Sequence, residues 1–88
     1  MAWIVEYDPR VVRDLKTLDQ AVQQEILGYL DNRIATDEDP RRLGKALRHT
    51  KRRLWRYRWR DYRIVCEIQD LKLIVLVVAV GHRSAIYE

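Results

Sequence analysis

Cysteine is nearly absent. A single thiol, Cys66, in 88 residues excludes an internal disulfide framework, and with only two histidines it leaves a poor metal-ligand set. No metal and no cofactor are expected, and a reducing, cytoplasmic setting is the simplest reading. Long apolar runs are also missing. LIVLVVAV at 73–80 has eight residues, far below the roughly 20 needed to span a bilayer. The N-terminus, MAWIVEYDPR, lacks a basic start leading into an apolar stretch, so neither a signal peptide nor a membrane partner is expected. Repeats, low-complexity tracts and linkers are absent, and 88 residues suit one small domain, 1–88, with a thin core.

What the chain has is positive charge in one place. Residues 1–40 carry four Lys/Arg against nine Asp/Glu, whereas residues 41–63 carry eleven Lys/Arg against Asp61 alone. So dense a basic block beside an acidic N-terminal half implies a polyanionic partner more strongly than the net +4 does.

The hydrophobic periods give an order of elements. AWIVEY (2–7) is β-branched and aromatic and reads as a strand. Asp8-Pro9 reads as a helix start, and Val11, Val12, Leu15 and Leu18 follow at helical spacing. Asp19 can cap a second helix carrying Val22, Ile26, Leu27, Leu30 and Ile34, which the TDEDP stretch (36–40) stops. Residues 40–51 show no clean period and read as a loop with a turn of helix. From Leu54 the period is two: Trp55, Tyr57 and Trp59 point one way, Arg56, Arg58 and Arg60 the other. After a turn at Arg60-Asp61, Tyr62, Ile64, Cys66 and Ile68 alternate with Arg63, Val65 and Glu67. KLIVLVVAV (72–80) is apolar on both faces, as a covered central strand requires. The predicted class is α+β, in the order β-α-α-β-β-β, with a helical hairpin on one face of a small, mainly antiparallel sheet.

On such a strand alternate arginines lie roughly 6.5–7 Å apart, close to the phosphate spacing of an extended RNA strand, and each guanidinium can grip a phosphate in a bidentate pair. Lys45, Lys51, Arg53, Arg56, Arg58 and Arg60 are therefore candidates for nucleic-acid binding. GHRSAIY (81–87) follows the most apolar strand and offers His82, Arg83 and Tyr87 as a possible proton shuttle, fixed cation and phenol.

The element order, GKAL (44–47), LWRYRWRDYRIV (54–65) and VGHRSAIY (80–87) resemble the RelE/ParE superfamily of type II toxin–antitoxin toxins over essentially the whole chain. In the RelE-like branch the resemblance implies a ribosome-dependent endoribonuclease that cleaves mRNA in the A site without a metal. Its second-strand basic positions fall on Arg56 and Arg58, the third-strand arginine on Arg63, the later arginine on Arg83 and the tyrosine on Tyr87. Lysines stand in the best-known site of this kind where this chain has Arg56 and Arg58. Arginine stays protonated, so a general base has to be His82 or Tyr87. The catalytic set so implied is Arg63, His82, Arg83 and Tyr87. The ParE-like branch instead implies gyrase inhibition without nuclease activity, and a plain basic RNA-binding domain explains the charge but not GHRSAIY. Either toxin class implies an acidic, partly disordered antitoxin that wraps the domain, in a complex that can be a heterotetramer.

Overall fold

The computed structural model describes residues 2–47 and 53–84. Strand β1 (Ile4–Tyr7) leads into helix α1 (Pro9–Lys16), whose start is set by local chemistry. Asp8 is extended, its carboxylate accepts from the Arg10 amide at 2.9 Å, and Pro9 brings a φ already helical. Helix α2 (Gln20–Tyr29) follows a tight connection and runs on into a π-helical turn, Leu30–Ile34. Asp19 precedes α2 but makes no side-chain cap bond, contrary to the expectation. The Gln23 amide instead holds the connection by donating to the Leu18 carbonyl at 2.8 Å. No helix among the described residues is long and apolar enough to cross a membrane.

The helical hairpin lies on one face of a five-stranded sheet of order β1-β5-β4-β3-β2, with β2 at Lys45–Ala46, β3 at Leu54–Trp59, β4 at Tyr62–Gln69 and β5 at Ile74–His82. The β3–β4–β5 meander is antiparallel, and β1 joins β5 in parallel, as a strand returning through a helical crossover does. β5 is an interior strand, paired with β1 on one side and β4 on the other. Val11 and Leu15 of α1, Ile26 of α2, and Leu30 and Ile34 pack on Tyr57, Ile64, Cys66, Val75, Val77 and Val80. Each such side chain contributes about 1.5–3 kcal/mol on burial. Burial also pushes the Cys66 thiol up from its ordinary value, leaving it protonated and inert.

Two features escape a reading by period. The first is β2, an edge strand of only two residues inside the expected loop. The second is a bulge: Val65 pairs with Ala79 but Cys66 with Val77, so Val78 is inserted in β5. Beyond it the alternation of β5 reverses. Val80 and His82, not Ala79 and Gly81, lie on the helix-covered face, opposite Ile64 and Tyr62.

Candidate nucleic-acid interface

The face away from the helices gathers cations. Arg56 and Arg58 project from β3, and Arg63 of β4 pairs with Arg58 on one side and Gly81 on the other. Since Gly81 has no side chain, no β5 group stands over Arg63 at that register position. Arg56 and Arg63 are only 6% and 8% exposed, whereas Arg58 and Arg83 are exposed. Burial first, then repulsion from Arg58 and Arg63, pushes Arg56 below its ordinary value. Burial, Arg58 and Arg83 do the same to Arg63, opposed by Asp61. Four guanidiniums thus form one electrostatically coupled group. Desolvating and crowding like charges costs free energy, which makes a group of this kind a candidate anion site.

Other candidates lie elsewhere. Arg60 does not continue the row. It sits in the β3–β4 turn with φ 52°, and its guanidinium lies 4.8 Å from the Trp59 ring centroid and 4.0 Å from Glu25 of α2. The strand ends at Trp59, so the alternation that assigned Arg60 to the arginine face stops one residue too early. The bulge puts His82 on the opposite face from Arg63, edge-on to Tyr62 with ring centroids 5.6 Å apart. Arg53 borders a hollow of about 510 Å³ with Arg41, Trp55, Ile68 and Asp70, outside the row. Lys51 and Tyr87 lie outside the described residues. Among the described residues no three His, Cys, Asp or Glu side chains cluster to hold a metal ion.

Lys45 joins the row by a route that the periods do not reveal. Residues 39–46 form a strap across the end of β3, and the exposed Lys45 pairs with Arg56. The chain has no phenylalanine, and ring-tip donors hold this strap. Buried Tyr57 donates its hydroxyl to the Pro40 carbonyl at 2.7 Å, and Trp55 Nε1 donates to the Leu43 carbonyl at 2.6 Å. Burial pushes the Tyr57 phenol well above its usual range, so it stays a donor. Gly44 has φ 75°, and a Cβ there would lie 2.3 Å from the Arg56 carbonyl oxygen, so the close approach requires glycine. Arg41 adds a bidentate pair to Asp70 at 2.9 and 2.7 Å, and that hydrogen bond holds the Asp70 carboxyl below the usual carboxylate range. The visible signal was the glycine of LGKAL within an otherwise aperiodic stretch.

Comparison with known proteins identifies the family and the fold. The family model of the ParE toxin of type II toxin–antitoxin systems, parDE, matches residues 5–87. The chain belongs to that family. It is a type II toxin–antitoxin toxin of the RelE/ParE superfamily. Among solved structures it is similar to a chain of the RelBE2 toxin–antitoxin complex of Mycobacterium tuberculosis. That match has TM-score 0.85 and 24% identity and covers 96% of this chain and 94% of the other. The isolated Escherichia coli RelE toxin gives TM-score 0.70 at 23% identity over 92% and 84% of the two chains. A chain of the archaeal RelE–RelB complex of Pyrococcus horikoshii gives 0.75 at 22% over 98% and 100%. These likenesses establish the fold, two helices on a five-stranded, mostly antiparallel sheet. No curated protein matches the sequence.

Proposed function

We propose that this toxin is a ribosome-dependent endoribonuclease that cuts mRNA in the A site. The observation that carries the reading is the coupled group Arg56, Arg58, Arg63 and Arg83 on the sheet face that the helices leave open. The reaction is attack of a ribose 2′-OH on the adjacent phosphorus. The 2′-O–P bond forms, the P–O5′ bond breaks, and the products carry a 2′,3′-cyclic phosphate and a 5′-OH. The 2′-OH proton goes to a base and a proton is delivered to O5′.

Arginines fixed before the substrate arrives stabilise the charge that develops on the phosphorane oxygens, because no reorganisation is needed at the moment of reaction. Arg63 and Arg83 serve the scissile group, while Arg56, Arg58 and Lys45 hold neighbouring phosphates. None of the arginines is a base. With His82 on the other face, Tyr87 is the residue assigned to proton transfer. The partner that silences the toxin is an acidic, partly disordered antitoxin, in line with the complexes in which the similar chains were solved.

One observation favours a second reading, gyrase inhibition without cleavage: the matching family is the parDE toxin. Purified protein added to translating ribosomes, with primer extension to map mRNA ends and a gyrase supercoiling assay alongside, separates the two. New mRNA ends with unaffected supercoiling are expected. Intact mRNA with lost supercoiling would transfer the assignment to the gyrase inhibitor.

A further inference from the structure

The residue that sequence reasoning nominated as a proton shuttle, His82, has a different geometry. Arg83 follows it, and the Arg83 amide donates to the Asp61 carbonyl at 2.7 Å, which pins the end of β5 to the β3–β4 turn. On the other side of Arg83, the Ser84 amide approaches His82 Nδ1 at 3.2 Å and Ser84 Oγ lies 2.9 Å from the same nitrogen. A backbone N–H can only donate. Nδ1 therefore carries the lone pair and the ring proton sits on Nε2. The ring is anchored in turn by its edge contact with Tyr62, which packs 6.2 Å from Trp59. His82 also lines, with Asp14, Thr17 and Leu18, a cleft of about 390 Å³.

We propose that His82 is a positioning residue whose Nδ1 caps the 82–84 turn and thereby holds Arg83 beside Arg63. The proposal rests on the ribonuclease reading for its consequence, but the cap itself does not depend on that reading. What matters is an acceptor atom at this position. An asparagine at 82 presents its Oδ1 where Nδ1 stands, whereas a glutamine extends its carbonyl about one bond further, towards the position of Nε2. A proton shuttle would be lost in both variants, and a purely packing role would be impaired in both alike.

The experiment compares full-length wild type, His82→Asn and His82→Gln. Single-turnover cleavage of ribosome-bound mRNA is measured with thermal melting and amide hydrogen exchange on the same samples. Both variants lose the imidazole, so their melting temperatures are expected to agree within a few degrees. His82→Asn is expected to cleave within about 3-fold of wild type. His82→Gln is expected to lose about 10- to 100-fold in the rate constant at saturation with little change in half-saturation, because a misplaced cation fails in the transition state. The Ser84 amide stays protected from exchange in the Asn variant and becomes exposed to it in the Gln variant. Equal loss of rate and protection in both variants, or full retention in His82→Gln, would overturn the proposal. If the wild type cleaves nothing, the ribonuclease reading fails, and the exchange pattern still decides on the cap.

Discussion

Tyr57→Phe removes one oxygen from the most heavily buried ring among the described residues. The phenol is fully enclosed, and its hydroxyl donates to the carbonyl of Pro40, itself buried. In the variant that carbonyl keeps its desolvation but loses its donor, a penalty of about 1–3 kcal/mol. The hole left by one hydroxyl is too small and too poorly supplied with polar partners to admit a water in compensation. At about 2 kcal/mol, and 4–8 °C per kcal/mol for a domain of this size, melting should fall by about 8–16 °C. Urea titration should show a lower midpoint at an unchanged slope, since the surface exposed on unfolding is the same. This bond is one of those that hold the strap carrying Lys45, so amides of residues 41–46 should exchange faster than those of β4 and β5 in the same sample. A variant within about 0.5 kcal/mol of wild type, or one whose exchange rises evenly throughout, would refute the assignment of Tyr57 as the anchor of the strap.

Gly44→Ala should cost more than about 2 kcal/mol by the same urea assay, from the left-handed backbone and the clash with the Arg56 carbonyl; a neutral result would mean that the strap lies elsewhere. Asp70→Asn should cost less than about 1 kcal/mol, because its pair with Arg41 is solvent-exposed. Stability should fall as pH rises from about 9 towards 12. Burial raises the Cys66 thiol and the Tyr57 and Tyr29 phenols above ordinary values of 9.0 and 10.0, and pushes Tyr7 up to about 12. Over that range the unfolded chain loses protons that the folded chain retains, so the unfolded state gains; a flat urea midpoint between pH 9 and 11 would contradict it. Arg83→Ala should lower ribosome-bound cleavage by about 10²–10³-fold, the usual cost of removing one preorganised charge donor, with melting unchanged because Arg83 is exposed.

The meander was legible because Trp55, Tyr57 and Trp59 alternate with Arg56 and Arg58 without interruption, and the helical hairpin because Val11, Leu15, Ile26 and Leu30 keep the helical period. The alternation put Arg56 and Arg58 on one face, and the family resemblance, not the period, added Arg63 to them. Three features were not legible. The bulge at Val78 sits within a run of valines, where an extra residue leaves no mark on the hydrophobic pattern yet moves His82 to the other face. Arg60 obeys the period-two pattern but occupies a turn, and its guanidinium follows the Trp59 ring instead of the strand. The strap has no period because what holds it is hydrogen bonds from Trp55 and Tyr57, rings that a pattern of burial counts only as core.

The central claim is that the coupled arginines serve phosphoryl transfer from a ribose 2′-OH. It is tested most directly by the chemistry of the ends formed when wild type and Arg63→Ala act on ribosome-bound mRNA. The account predicts cuts by wild type that leave 5′-OH ends and 2′,3′-cyclic phosphates, and a loss of about 10²-fold or more in their rate of formation in the variant. Cuts bearing 5′-phosphates, or intact mRNA alongside inhibited gyrase, would contradict it.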